Sequence, residues 1–216
     1  MRFPSLTTVG NYGFYGCCHY VSDTLRIIDF SNLQTVGKNA MYYMFSGTTA
    51  NTNLTSLSFP ELTSVDEYGL RESFINFQLR SISFPKLRTV GIGAFYGAMG
   101  IGSPTNKVDS IEFPEITSIP NLCFALYSGK GNKYVHNVYF PKATSIVASN
   151  YTLNSFAAGT TSSDPVHIYL PKCTSITYGY LFTQDQYVAL HFASANRSAI
   201  EASAGYATKW NANTDS

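Results

Sequence analysis

Apolar residues recur along this chain in a fixed register around a phenylalanine-proline pair. The pair occurs as Phe3-Pro4, Phe59-Pro60, Phe84-Pro85, Phe113-Pro114 and Phe140-Pro141, with degenerate copies at Phe30-Ser31, Leu170-Pro171 and Phe192-Ala193. The first residue of each pair is called the anchor, and successive anchors are 27, 29, 25, 29, 27, 30 and 22 residues apart. Repeats of this length are typical of solenoids, in which each unit buries its apolar face only against its neighbours.

The positions around each anchor predict the path of the backbone. The repeat of Phe84 has apolar residues two before, three after and six after the anchor, at Ile82, Leu87 and Val90, and the other repeats follow the pattern L-x-x-I-x-F-P-x-L-x-x-I. The alternation in I-x-F predicts a strand with one buried face, and the proline ends that strand at a corner. Residues 1–192 are therefore predicted to form a parallel solenoid of about eight coils, with the Gly-, Asn- and Ser-rich stretches as loops.

A column of hydroxyl side chains is predicted five residues after the anchors. These positions hold only serine or threonine: Thr8, Thr35, Ser64, Thr89, Ser118, Ser145 and Ser175. Stacking of the coils would align them. A structural role in the sheet is the favoured interpretation, because such side chains suit strands and bond across them, and a recognition surface is the alternative.

The repeat, followed by a small-aromatic pair such as Ala94-Phe95, resembles the bacterial BspA-like leucine-rich repeat family of gut Firmicutes and their prophages. The resemblance covers residues 1 to about 192. It implies a right-handed parallel leucine-rich-repeat solenoid with a β-sheet on its concave face. It also implies a protein-binding or adhesion module in an extracellular or cell-surface location.

The amino terminus of the chain leaves an alternative location open. An anchor follows Met1 within two residues, which leaves no room for a signal peptide, so a cytoplasmic or phage-encoded product and a fragment of a longer protein are both considered. Because solenoid ends need capping, we expect the N-terminal edge to be covered by further sequence or by another chain.

Residues 193–216 are predicted to form a C-terminal cap and tail. Helix-forming residues extend from Asn196 to Ala204, with Ser194 or Asn196 as the N-cap and Gly205 as the stop. Tyr206 and Trp210 are expected to fold over the last coil, and the polar remainder is expected to fray.

Composition excludes several classes of function. The net charge is +1 and charged residues make up 12% of the chain, which gives no electrostatic basis for binding nucleic acid. The sequence has no apolar stretch of the ~18 residues that membrane insertion requires. The four cysteines form no C-x-x-C motif, Cys123 and Cys173 fall at core positions, and no catalytic or nucleotide-binding motif occurs, so we predict no metal, no cofactor and no enzymatic activity.

The outward positions of the predicted sheet provide the candidate binding site. One residue before the anchors, the chain reads Asp29, Ser58, Ser83, Glu112, Tyr139, Tyr169 and His191. We predict a contact surface at Tyr139, Tyr169 and His191, with Asn137 and His167 beside them, all facing solvent. The expected ligand is a protein or a glycan. The alternative function is a structural component of a phage particle or of a larger surface protein.

Overall fold

The computed structural model describes residues 1–18, 25–46, 51–75, 77–98, 108–125, 135–147, 151–157, 160–177, 181–182, 186–204 and 210–215, with backbone alone at 201–204 and 210–215. The elements are β1 (Thr8–Val9), β2 (Thr35–Val36), β3 (Ser56–Ser58), β4 (Ser64–Val65), β5 (Ser81–Ser83), β6 (Thr89–Val90), β7 (Val108–Glu112), β8 (Ser118–Ile119), β9 (Val135–Tyr139), β10 (Ser145–Val147), β11 (Val166–Tyr169), β12 (Ser175–Thr177), β13 (Val188–Ala193), α1 (Arg197–Ala204) and β14 (Trp210–Asp215). Short 3-10 turns occur at Asn154–Phe156 and Ser194–Asn196. No helix in these ranges is long and apolar enough to cross a membrane.

The strands form two ladders, one on each side of the anchor corner. The first ladder contains the strands that lead into the anchors, with β3 paired to β5 and a five-stranded sheet in the order β7-β9-β11-β13-β14. The second ladder contains the short strands that follow the anchors, in the orders β1-β2-β4-β6 and β8-β10-β12. All of these pairings are parallel and join equivalent repeat positions, such as Ile111 with Val138 and Ser145 with Ser175. The predicted parallel repeat solenoid with a short C-terminal helix is confirmed.

The anchor phenylalanines form one continuous stack through the core. Ring centroids of successive anchors from Phe3 to Phe140 are 5.0 to 5.7 Å apart, with interplanar angles of 5° to 12°. Phe30 through Phe140 are fully buried at the anchor positions, whereas Phe3, the first ring of the stack, is only partly buried. Each ring from Phe30 to Phe113 is therefore an interior contact for the coils on both sides of it.

The third side of each coil turns without a regular strand. Alternate N–H groups donate to the next coil, as from Met41 to the Gly69 carbonyl at 2.8 Å and from Leu70 to the Ala94 carbonyl at 2.9 Å. Residues nine after the anchor adopt left-handed backbone, with φ between 50° and 61° at Tyr12, Asn39, Tyr68, Gly93 and Leu122. The turn thus recurs at the same repeat position whether or not glycine is present.

Exposed ion pairs join neighbouring coils at the position two residues after the anchor. Lys86 Nζ lies 2.7 Å from Glu61 Oε2, and Lys142 Nζ lies 2.6 Å from Glu115 Oε1. The hydrogen bond from Lys142 lowers the pKa of Glu115. Because these side chains are well solvated, each pair contributes little stability. The charge at this position alternates in sign over the four repeats from Glu61 to Lys142.

The C-terminal segment is more ordered than the sequence indicated. Helix α1 is present as predicted, and Asn196 Nδ2 donates to the Cys173 carbonyl at 2.9 Å. The prediction of a frayed tail is wrong, because β14 pairs in parallel with β13 from Val188↔Trp210 to Ala193↔Asp215. Without β14, the outer edge of β13 would expose unpaired backbone groups, which any extended segment can satisfy. Gly205 and Tyr206 lie outside the described residues, as does the side chain of Trp210.

The predicted buried cysteines are confirmed. Cys123 and Cys173 are both fully buried free thiols, whereas Cys17 and Cys18 are exposed. Burial raises the pKa of Cys173 to about 11, and it raises the pKa of Cys123 well above its ordinary value. Both buried thiols therefore stay protonated at neutral pH and serve as small apolar side chains.

We expect Phe113→Ala to lower the free energy of unfolding by about 3–5 kcal/mol, because it leaves a cavity between two packed coils. Urea unfolding monitored by circular dichroism measures this loss. Phe3→Ala is the matched control, since Phe3 occupies the same repeat position and is only partly buried. A loss at Phe3 as large as that at Phe113 would contradict the stacked-core interpretation.

We expect Gly91→Ala to lower the free energy of unfolding by about 1–3 kcal/mol through overpacking. A Cβ at Gly91 would lie 2.5 Å from the backbone nitrogen of Glu67 in the preceding coil. Gly10→Ala is the control at the same repeat position, because a Cβ there meets nothing within 4 Å. Equal losses in the two variants, measured by urea unfolding, would show that coil spacing does not depend on this glycine.

Candidate functional site

The five side chains of the predicted site lie on three neighbouring strands of the first ladder. The register pairs Tyr139 with Tyr169 and Asn137 with His167 between β9 and β11, and it pairs Tyr169 with His191 between β11 and β13. In-register parallel strands place equivalent side chains about 5 Å apart on one side of the sheet. The structure therefore brings all five together, and we call this group the Tyr–His face.

Aromatic stacking holds the centre of the Tyr–His face. The rings of Tyr139 and Tyr169 are 4.5 Å apart at 11°, and the rings of Tyr169 and His191 are 4.3 Å apart at 12°. Three rings from successive coils thus form one column. The column is an outward counterpart of the phenylalanine stack inside, with Tyr139 and Tyr169 half-buried.

Hydrogen bonds fix the flanking side chains of the Tyr–His face. His167 Nδ1 lies 2.9 Å from His191 Nε2, so one ring donates and the other accepts. The Tyr169 hydroxyl donates to Asn137 Oδ1 at 3.4 Å, and Asn137 Nδ2 donates to the Asp109 carbonyl at 3.0 Å. These contacts cross between coils, which preorganises the surface.

One expectation about this face is wrong. His191 was expected to face solvent, but it is only 8% exposed. Strand β13 is not an edge, because β14 pairs with its outer side and sets Asn213 beside His191 in the register. Tyr139, Tyr169, Asn137 and His167 are half-buried, so the accessible part of the face is made by β9 and β11.

The surroundings of the Tyr–His face carry few charges. Glu112 is paired with Tyr139 in the register and is exposed at one border. His136 Nδ1 lies 3.4 Å from Asp164 Oδ1 on the neighbouring coil. Within the described residues no three His, Cys, Asp or Glu side chains gather in a way that could hold a metal ion. The face is therefore suited to contact through ring surfaces and hydrogen bonds.

A second aromatic cluster was missed by the sequence analysis. The Arg71 guanidinium carbon lies 4.7 Å from the ring centroid of Tyr42, 5.2 Å from that of Tyr68 and 4.9 Å from that of Tyr96. Arg71 Nε also lies 3.3 Å from Oε1 of the buried Glu72. Such cation–π contacts hold aromatic rings in place when they are partly shielded from water.

The signal for this cluster was present in the repeat register. Tyr15, Tyr42, Arg71 and Tyr96 all lie twelve residues after their anchors. That position falls in the variable stretch of each repeat, where the core pattern gives no guidance. Aligning all repeat positions, rather than only the apolar ones, would have exposed the column.

We expect the Tyr139–Tyr169 stack to contribute a coupling free energy of about 0.5–1.5 kcal/mol. A double-mutant cycle with Tyr139→Ser, Tyr169→Ser and both together, read by urea unfolding, measures this coupling. All three variants should remain folded, because the core side of β9 and β11 is unchanged. Additive losses would show that the stack contributes nothing beyond the burial of each ring.

Comparison with protein-family models, with curated proteins and with solved structures gave no match to this chain. The likeness to BspA-like repeats therefore stays a prediction that depends on the repeat pattern itself, and the Tyr–His face is interpreted from its own geometry.

Proposed function

We propose that this chain is a non-catalytic binding module of the leucine-rich-repeat type, which holds a protein or glycan ligand against the Tyr–His face. The observation that carries the proposal is the column of Tyr139, Tyr169 and His191, stacked at 4.5 and 4.3 Å. Tyrosine supplies a large contact area at a low cost in side-chain entropy, and preordered rings reduce that cost further.

The contrast along the first ladder supports the choice of this face. The equivalent positions in the amino-terminal half are Ser58 and Ser83, which are small, polar and exposed. Interface centres are enriched in large aromatic side chains and depleted in serine. A ligand that contacts the outward side of the first ladder would thus find most of its contact area over β9 and β11.

The chemistry of the face favours holding over reaction. Its polar groups are engaged with one another across the coils, through the His167–His191 and Tyr169–Asn137 contacts. The repeat resemblance implies an extracellular or cell-surface location and a protein-binding role, and both are consistent with this interpretation. The ligand would be held by many modest contacts on a shallow surface.

We expect the double variant Tyr139→Ser/Tyr169→Ser to bind such a ligand at least about tenfold more weakly, since loss of central aromatic contacts dominates interface energetics. The measurement is biolayer interferometry of the whole chain against a defined panel of purified matrix proteins and mucin-type glycans. The matched control is Ser58→Ala/Ser83→Ala, which changes the same repeat position, directly before the anchor, in two neighbouring coils of the amino-terminal half. A ligand whose affinity is unchanged in the tyrosine variant would rule out this face as its binding site.

A further inference from the structure

A groove runs beside the second ladder in the amino-terminal half of the solenoid, away from the strands of the Tyr–His face. Its volume is about 450 Å³, and it crosses the coils of β1, β2, β4 and β6. One side is lined at the position seven after the anchor by Gly10, Gly37 and Gly91, with Asp66 at the equivalent position in the remaining coil. The glycines add no side chain to this side of the groove, and at Gly37 and Gly91 a Cβ would meet the backbone of the preceding coil, 2.9 Å from Asn11 N and 2.5 Å from Glu67 N.

The other side of the groove is the hydroxyl column predicted from the sequence. Thr8, Thr35, Ser64 and Thr89 all line it. Their alignment is direct, because Thr35 Oγ1 donates to Thr8 Oγ1 at 3.0 Å. Hydroxyl groups both donate and accept, so four in a row at the ~4.8 Å spacing of strands offer a regular series of hydrogen-bonding positions.

The charge of the groove limits the chemistry of its occupant. Asp66 is the only charged residue among the described residues that line it, and it is exposed. The nearby Lys38 is paired with a carboxylate, since its Nζ lies 2.7 Å from Glu67 Oε2. Four valines, Val9, Val36, Val65 and Val90, also line the groove. A lining of hydroxyls and apolar groups with one carboxylate disfavours anionic ligands and favours neutral molecules that have both hydroxyl groups and apolar faces.

Two exposed tyrosines lie beside the groove at its first coil. Tyr12 comes directly after the lining residue Asn11, and it is 57% exposed beside Tyr15, which is 48% exposed. Tyr68 occupies the position of Tyr12 two coils further on, where it is half-buried against Gly93. The negative faces of such rings attract the C–H faces of sugar rings.

We propose that this groove binds a linear neutral glycan, which lies along the solenoid axis with its hydroxyls on the serine-threonine column. Asp66 accepts from the sugar hydroxyls, and the exposed tyrosines pack on the faces of neighbouring sugar rings. This site is separate from the Tyr–His face, so the proposal can be tested independently of the function proposed above.

The test is isothermal titration calorimetry of the whole chain with cellohexaose, laminarihexaose, mannohexaose and maltohexaose, and with oligogalacturonate as an anionic comparison. We expect at least one neutral oligosaccharide to bind more tightly than oligogalacturonate. Thr89→Gln should reduce that affinity at least about tenfold, because Thr89 is an exposed lining residue at which a longer side chain occupies the groove. Thr8→Val/Thr35→Val should reduce the affinity about tenfold, because valine has nearly the shape of threonine but lacks the hydroxyl group that bonds to the sugar.

The controls separate the groove from the rest of the surface. Ser118→Ala/Ser145→Ala removes the equivalent hydroxyl contact, 3.0 Å long, in the carboxy-terminal half, and it should leave affinity unchanged. Tyr139→Ser/Tyr169→Ser should also leave it unchanged, and loss of binding there would assign the glycan to the Tyr–His face instead. Absence of binding by all four neutral oligosaccharides, tighter binding of oligogalacturonate, or unchanged affinity in folded Thr89→Gln would each overturn the proposal.

Discussion

Stacking of like residues on like residues is the constraint on which the whole structure depends. A parallel solenoid places each residue against its equivalent in the next coil, so each position must pack well against its own kind. Phenylalanine satisfies this at the anchor, where flat rings repeat at 5.0 to 5.7 Å. Hydroxyl side chains satisfy it five residues later by bonding along their column, as Thr35 does to Thr8. The surface features follow from the same rule, since the Tyr–His face is a column of stacked rings on the outward side.

The fold was predictable because this constraint places similar residues at equivalent positions of each repeat, which makes the repeat visible in the sequence. The paired positions in both ladders are the equivalent repeat positions that the anchors define, as in Ser145 with Ser118 and Tyr169 with Tyr139. The membership of the Tyr–His face followed from the same counting. Neighbours across coils are fixed once the register is known, so no long-range information was needed.

The errors arose where the apolar pattern of the repeat is weak or absent. The segment Trp210–Asp215 alternates only as Trp-Asn-Ala-Asn and lacks the Phe-Pro anchor, and its pairing with β13 uses backbone groups that every sequence carries. The burial of His191 depends on that added strand, so it could not be anticipated from the position of His191 in its own repeat. The Arg71 cluster was overlooked for a different reason: it unites a tyrosine column with a single arginine in the variable part of the coil.

The charges two residues after the anchor bear on how the chain can change in length. Glu61, Lys86, Glu115 and Lys142 follow one another in successive repeats with opposite signs, whereas the next repeat has Lys172 at the same position as Lys142. The solenoid thus accepts like charges at this position, as expected for solvated side chains whose pairing contributes little stability. The phenylalanine stack, by contrast, continues only when a whole repeat is added or removed. The natural unit of change in length is therefore one complete repeat, whatever the sign of its surface charge.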